Sequence, residues 1–319
     1  MKINELLKEK NIHPLKYEKK GKVTVISSAS ERYVYKDSTI DTKILNYLKS
    51  RNFDYMPKIL EKKDYELMQY IDDLEIPKEQ KMIDMIKLVS LLHSKTTHYK
   101  KVNREEYHKL YDELNGNLDY LYSHYTDLIT IIESKVYPSP KELSLSKNIS
   151  KIYDTIAINK KRLDSWQNLI KDKTKDRNVV IHGNLRLSHF KVDDKPYLIS
   201  WDKAKIDSPV FDIYKLYNSH VLDFDFESLL ELYEKAYPLK EDERKLFHIL
   251  ISMPDIIDLK GKEYDECKKI NRMMEKIYIA EKLTSKEITK KWLNIYIKLL
   301  LYNIILLIIN IIMQTTKNT

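Results

Sequence analysis

The residue types best suited to chemistry lie together in the stretch 179–214, where polar side chains follow short apolar runs. The first run, which reads as a buried strand, is followed by His182, Asn184, Arg186 and His189. Polar side chains at the end of a short strand, on the loop that leaves it, form a typical binding-site layout. The pattern therefore predicts a functional site here but names no reaction.

A second apolar run ends in Ser200 and Asp202, and a turn containing Asp207, Pro209 and Asp212 comes after it. A proline in the first helical turn with an acidic residue behind it is typical of a helix start. We therefore expect two neighbouring short strands, at 179–181 and 197–201, whose polar ends meet just ahead of a helix.

The elements that must position these residues form two groups. The N-terminal part is rich in Val and Tyr runs separated by turns of small residues, a pattern typical of strands. A short leading helix and one helical stripe starting near Ile40 accompany them. Strands are predicted at 16–26, 32–36, 56–60 and 65–71.

From Pro77 onward, apolar residues recur at three- and four-residue spacing, which indicates amphipathic helices. The longest of these are predicted at 104–133 and 140–170. The fold class is therefore α+β. We divide the chain into a small β-rich N-terminal lobe, residues 1–73, a large helical C-terminal lobe, 74–291, and a hydrophobic tail, 292–319.

The composition narrows the function classes. The 319 residues include four glycines, too few for a glycine-rich phosphate loop of the P-loop or Rossmann kind. A single cysteine, Cys267, excludes an internal disulfide framework and fits a reducing cytoplasm. The net charge is +8, but the lysines are spread along the chain and mixed with acidic residues, so no nucleic-acid binding is expected.

The C-terminal tail is dominated by Ile and Leu between Trp292 and Met313. Its uninterrupted apolar blocks are shorter than the roughly 18–20 residues that a membrane-spanning helix needs. A terminal helix packed on the protein, or an irregular tail, is favoured over membrane insertion. Membrane contact through this tail is kept as an alternative, because lysines precede it.

The motifs of the stretch 179–214 resemble those of the aminoglycoside phosphotransferases, choline kinases and spore-coat kinase-like proteins. Those proteins carry H-G-D-x-x-x-x-N, then I-D-W/F, then G-D-P-x-x-D. The matching residues here are His182-Gly183-Asn184 with His189, then Ile199-Ser200-Trp201, then Asp207, Pro209 and Asp212. The resemblance extends over roughly residues 15–290 and implies a protein-kinase-like fold of two lobes.

Three positions with chemical roles in that family are altered. Asn184 stands where the family has its catalytic Asp, His189 where it has a metal-binding Asn, and Ser200 where it has its main metal-binding Asp. An amide can orient a hydroxyl but cannot accept its proton, and losing a general base typically costs about 10²–10⁴-fold in rate. A hydroxyl and an imidazole are poor ligands for Mg²⁺. The resemblance therefore implies an altered catalytic loop, with Arg186 either contacting phosphate or simply exposed.

The N-terminal lobe keeps the family's nucleotide-binding positions. Lys36 corresponds to the lysine that holds the phosphates, and Asp41 stands where the family usually has the Glu that pairs with that lysine. A surface ion pair is the alternative interpretation of these two residues. Gln69, Tyr70 and Ile71 match the hinge whose backbone binds adenine. The resemblance therefore implies an ATP site and disfavours Mg²⁺.

The first functional interpretation is a catalytically degenerate member, a pseudokinase that acts through binding, as a structural or regulatory protein partner. The second is a working ATP-dependent small-molecule kinase with unconventional metal ligation. In that case Asp202 would supply the metal-binding carboxylate. Ser200 and Asp202 are two residues apart, and side chains at that spacing on a strand lie on the same face. The third is a membrane-tethered scaffold organised by the tail.

Overall fold

The computed structural model describes residues 2–285. Packing divides the chain into two compact units. One contains the described residues up to Leu118 together with Lys160–Ile251, and the other contains Asp119–Asn159 together with the described residues from Ser252 onward. The residues singled out at the candidate site all belong to the first unit.

The N-terminal part is a five-stranded antiparallel sheet with two short helices. The two helices match the predictions, but the strand predicted at 16–26 is two strands, because Gly21 and Lys22 form a turn between them. The strand order is β1-β2-β3-β5-β4. Two helices, α1 (Lys2–Glu9) and α2 (Thr42–Ser50), accompany the sheet. The strands are β1 (Lys16–Lys20), β2 (Val23–Ser27), β3 (Arg32–Lys36), β4 (Ile59–Lys62) and β5 (Glu66–Gln69).

One face of this sheet packs against α1. Leu6 and Leu7 of the helix form a buried cluster with Ile26 of β2 and Leu67 of β5, and Tyr35 of β3 packs against it. Because side chains alternate along a strand, the residues between these point to the opposite face. That opposite face carries Lys36.

The described residues from 70 to 285 are mainly helical, again as predicted. A three-stranded sheet has the order β10-β7-β6, and β8 pairs with β9 in a separate hairpin. Residues 263–285 are also helical. The other elements are α3 (Lys78–Thr96), β6 (His98–Lys101), α4 (Arg104–Glu133), α5 (Pro140–Ile170), β7 (Lys175–Ile181), β8 (Phe190–Val192), β9 (Pro196–Leu198), β10 (Lys205–Asp207), α6 (Val210–His220), α7 (Phe226–Ala236) and α8 (Glu241–Ile251).

The expectation that the strands at 179–181 and 197–201 are neighbours is wrong. The edges of β7 are taken by β6 and β10, with Ile181 opposite Lys205. The second strand, β9, stops at Leu198 and pairs with β8. Ser200 cannot extend β9, because its backbone has φ of 68° and ψ of 53°, which lies in the left-handed region.

The hydrophobic tail at 292–319, and residues 286–291 of the predicted C-terminal lobe, lie outside the described residues. Among residues 2–285, no helix is both long enough and apolar enough to cross a membrane.

Helix α8 buries a histidine whose titration should make stability depend on pH. The pKa of His248 is lowered from 6.5 to about 3, mainly by burial and also by the nearby positive charges of Arg162, Arg244 and Lys245. The folded protein therefore keeps this imidazole neutral, while the unfolded chain protonates it below about pH 6.5. Its contribution to stability is complete above that pH and is lost as the pH falls toward 3.

We therefore expect the free energy of unfolding to fall by about 2 kcal/mol more in the wild type than in a His248→Gln variant between pH 7 and pH 5. Urea unfolding of both proteins at the two pH values measures this difference. An identical pH dependence in the two proteins would show that His248 titrates normally.

Candidate functional site

The loop that follows β7 is fixed by a buried histidine. His182 is fully buried, and its Nε2 donates to the backbone carbonyl of Ile199 at 2.9 Å. Its Nδ1 accepts from the backbone N–H of Asn184 at 3.3 Å. Burial holds the pKa of His182 below its usual value, so the ring is neutral and Nδ1 can act as an acceptor. His182 thus ties the loop after β7 to the segment after β9.

A buried carboxylate anchors the same loop. Asp212, fully buried in the first turn of α6, accepts from the backbone N–H groups of His182 at 2.7 Å and Gly183 at 2.8 Å. Its Oδ2 also lies 3.2 Å from Nε2 of His93, whose Nδ1 lies 2.7 Å from the hydroxyl of Tyr233. The structure therefore makes Asp212 a tether of the loop after β7.

Gly183 permits a close approach of two backbones. Its φ is +71°, and a Cβ at this position would collide with the carbonyl oxygen of Lys203. Only glycine meets both conditions without strain. The segment that carries Lys203 therefore lies directly against the loop after β7.

The predicted loop residues Asn184, Arg186 and His189 lie on one short segment. The Nδ1 of His189 donates to the carbonyl of Asn184 at 2.7 Å, and the N–H of Ile199 donates to the carbonyl of His189 at 2.9 Å. Asn184 and His189 are half-buried, and Arg186 is exposed. The structure brings Asn184 and His189 together and leaves Arg186 facing solvent.

The prediction that Ser200 and Asp202 share one face of a strand is wrong. Ser200 caps a 3-10 turn, Trp201–Lys203, from its left-handed conformation, and Asp202 lies within that turn. The Oδ1 of Asp202 lies 3.6 Å from Nζ of Lys36. The indole of Trp201 is buried and donates to the carbonyl of Leu198 at 2.7 Å, which holds the turn in place.

The expected pair between Lys36 and Asp41 is also wrong. Lys36 is buried, and its Nζ lies 3.3 Å from Oε2 of Glu66, which is buried as well. The two residues face each other across the β3–β5 ladder. Asp41 instead caps α2, its carboxylate accepting from the N–H of Lys43 at 2.6 Å.

Sequence reasoning missed Glu66, although one signal was present. Glu66 opens the apolar run of β5, and an acidic side chain is almost never fully buried unless it is paired. The other Glu66 oxygen, Oε1, accepts from the N–H of Ile40 at 2.6 Å. Both carboxylate oxygens are therefore bound, so the ammonium of Lys36 is held by the sheet rather than by the helix α2.

Removing each carboxylate should distinguish the true partner of Lys36. We expect Glu66→Gln to lower the free energy of unfolding by about 3 kcal/mol, because it leaves a buried ammonium without its main counter-charge. Asp41→Ala should cost only about 1 kcal/mol, the typical value of a helix cap. Urea unfolding of the two variants measures both values, and a larger loss in Asp41→Ala would contradict the assignment.

The predicted hinge runs from Gln69 to Ile71 at the end of β5. The N–H of Gln69 donates to the carbonyl of Lys58 at 2.9 Å, and the N–H of Tyr70 donates to that of Arg32 at 3.0 Å. Within residues 2–285, Ile71 is the one of the three whose N–H is not bonded to another protein group. The Arg32 guanidinium lies over the Tyr70 ring, 4.5 Å from its centroid, in a cation–π contact.

The donor atoms at the altered positions do not suit Mg²⁺, which prefers carboxylates and water in octahedral geometry. Asn184 offers an amide, His189 an imidazole and Ser200 a hydroxyl. The carboxylate of Asp202 faces Lys36. Across residues 2–285, no group of three or more His, Cys, Asp and Glu side chains is arranged to hold a metal ion.

Comparison with solved structures identifies the fold. An aminoglycoside phosphotransferase from Alicyclobacillus acidocaldarius is similar, with a TM-score of 0.62 and 10% identity over 86% of this chain and 92% of that one. The AMP-bound spectinomycin phosphotransferase APH(9)-Ia gives 0.55 and 12% identity over 88% and 97%. The choline kinase LicA from Streptococcus pneumoniae gives 0.49 and 13% identity over 86% and 97%.

The chain therefore has the two-lobed, protein-kinase-like α+β fold of the aminoglycoside phosphotransferases. No protein-family model and no curated protein sequence matches it.

Proposed function

We propose that this phosphotransferase-like protein is a pseudokinase, which binds a nucleotide and acts through that bound state as a regulatory or structural partner of another protein. The spectinomycin phosphotransferase of similar fold was crystallised with AMP, which supports a nucleotide as the ligand. In the proposed complex, the N–H of Ile71 would bind adenine and the ammonium of Lys36 would bind phosphate.

The observation that supports the proposal most strongly is that Ser200 lacks a carboxylate and that the carboxylate of Asp202 lies near Lys36. Ser200 provides a hydroxyl in place of the family's metal-binding carboxylate, and its backbone conformation caps the turn that follows. The nearest carboxylate on that turn, Asp202, lies 3.6 Å from the ammonium of Lys36. The carboxylate that a metal ion would need is thus already paired with the ammonium of Lys36.

The rest of the catalytic loop supports the same conclusion. Asn184 can orient a hydroxyl through its amide but cannot remove a proton, so the general-base step has no acceptor there. The loop is nevertheless well built, because Asp212 and His182 hold its backbone. A firmly held loop without a base is suited to binding rather than to transfer.

Thermal unfolding tests the proposal. ATP should raise the melting temperature of the wild type, because a ligand that binds the folded state stabilises it by about 2.7 kcal/mol at a hundred times its Kd. The rise should disappear in a Lys36→Met, Glu66→Gln double variant, which removes both buried charges together and so avoids an unpaired one. An unchanged melting temperature in the wild type, or an equal rise in the double variant, would contradict nucleotide binding at Lys36.

A further inference from the structure

A single row of side chains crosses the N-terminal sheet at the Lys36 end. The ladder pairs place Lys20 opposite Val23, Val23 opposite Lys36, Lys36 opposite Glu66 and Glu66 opposite Lys62. Residues directly opposite one another in an antiparallel sheet share a face. Lys20 of β1 therefore lies on the same face as Lys36, two strands away, or about 10 Å between Cα atoms.

The neighbouring lysine of β1 lies on the other face. Lys19 pairs with Thr24, Thr24 with Tyr35 and Tyr35 with Leu67, and Leu67 belongs to the cluster that packs on α1. Lys19 and Lys20 are both exposed. The chain thus contains two adjacent, exposed lysines of which only Lys20 shares the face of Lys36.

The hairpin between β1 and β2 cannot cradle phosphates with its backbone. Lys20 and Val23 are paired, so the turn contains only Gly21 and Lys22, with Gly21 at φ of +60°. A two-residue turn supplies few free N–H groups compared with a glycine-rich loop. Positive charge near the phosphates must therefore come from side chains. Besides Lys36, the row contains Lys62, whose ammonium donates to the hydroxyl of Thr42 at 2.6 Å, and Lys20, which lies beside the β1–β2 hairpin.

The contact between Lys36 and Asp202 shows how an anion would bind there. Lys36 has Glu66 as its buried partner and Asp202 as its second partner, whose side chain is 28% exposed. A nucleotide phosphate is negatively charged, like the Asp202 carboxylate, and can replace that carboxylate at the ammonium of Lys36. The ion pair of Lys20 with Glu18, 3.4 Å long and about half exposed, is screened by solvent and leaves Lys20 available.

We propose that this protein binds its nucleotide without a divalent cation, with Lys36 and Lys20 neutralising the phosphates and Asp202 competing with them for Lys36. The inference rests on the proposed nucleotide-binding function. It adds the chemical form of the ligand, which is the free nucleoside di- or triphosphate rather than its magnesium complex.

The first experiment measures the Kd of ATP for the full chain by calorimetry, in EDTA and in excess Mg²⁺. We expect the affinity in EDTA to equal or exceed that in Mg²⁺, since Mg²⁺ neutralises the charge that the lysines bind. A loss of more than about tenfold in EDTA overturns metal-free binding. Absence of binding in both buffers instead overturns the proposed function itself, so the two failures are distinguishable.

The second experiment compares two neighbouring lysines in EDTA. Lys20→Ala should weaken ATP binding by about fivefold while leaving AMP binding nearly unchanged, because the contact is to the outer phosphates. Lys19→Ala, with the same change of net charge on the opposite face, should have no effect. Equal effects of the two substitutions would show that only the overall charge matters and would overturn the role of Lys20.

The third experiment distinguishes two roles of Asp202 by the direction in which its substitution changes the affinity for ATP. If Asp202 competes with phosphate for Lys36, Asp202→Asn should tighten ATP binding in EDTA by about fivefold. If Asp202 instead holds a metal ion, the same variant should weaken ATP binding in Mg²⁺ and leave the EDTA value unchanged. The second outcome would overturn the proposal.

Discussion

A chain carrying both Ser200→Asp and Asn184→Asp is expected to bind ATP in a Mg²⁺-dependent way and to hydrolyse it to ADP, with the γ-phosphoryl group transferred to water. The first substitution supplies the missing carboxylate, and Asp tolerates the left-handed backbone of position 200 better than most residues do. The second restores a proton acceptor in a loop whose backbone is already fixed by Asp212 and His182. We expect ADP release about 10²–10⁴-fold above that of Ser200→Asp alone.

Ser200→Asn is the matched control for this experiment. Asn has nearly the shape of Asp and tolerates the same backbone conformation, but it adds no charge. Mg²⁺ should increase the ATP affinity of Ser200→Asp by at least about tenfold and that of Ser200→Asn not at all. A similar Mg²⁺ response in both variants would mean that the charge at position 200 is not what limits metal binding.

Loss of the Asp212 carboxylate is expected to destabilise the protein strongly. Asp212 is fully buried and bonds to two backbone N–H groups and to His93. In Asp212→Asn one side-chain oxygen becomes an N–H donor, which would face a backbone N–H with no acceptor between them. We expect the free energy of unfolding to fall by about 3–5 kcal/mol, as measured by urea unfolding.

Asp207→Asn serves as the comparison for that variant. Asp207 lies on β10 and forms a partly exposed pair with Lys205 at 2.6 Å, with 26% of its side chain exposed. Its substitution should cost less than about 1 kcal/mol. If Asp212→Asn were no more damaging than Asp207→Asn, the buried carboxylate would not be the anchor of the loop.

Local signals were enough to predict much of the fold. The long helices predicted at 104–133 and 140–170 match α4 and α5, and the strand predicted to end at Lys36 is β3. The helix predicted after Pro209 is α6. These elements depend on periodicity, prolines and turns, which act within a few residues of the chain.

The errors arose where long-range contacts decide the structure. The partner of Lys36 depends on the register between β3 and β5, which joins residues 30 apart in sequence, and no local pattern specifies it. Asp41 has the acidic side chain expected of a partner for Lys36, but it caps helix α2. Asp is also one of the residues preferred at helix N-caps. The end of β9 depends on the left-handed conformation of Ser200, and a serine in the sequence does not predict that conformation.

The lobe boundary at residue 73, the cytoplasmic location inferred from Cys267 and the existence of a protein partner remain predictions. Within the site, the residue types at positions 184, 189 and 200 were evident from the sequence. Their consequences for binding depend on the contacts of Lys36, which only the structure gives.

The release of ADP by the wild-type protein tests the central claim most directly. ATP and Mg²⁺ are incubated with the full chain and a panel of hydroxyl-bearing small molecules, and ADP is measured against the Lys36→Met, Glu66→Gln variant. The pseudokinase account predicts ATP binding by the wild type with no ADP above that of the variant. ADP formation that depends on the added hydroxyl compound and stops in Asp202→Ala would show that Asp202 supports catalysis, and it would contradict the account.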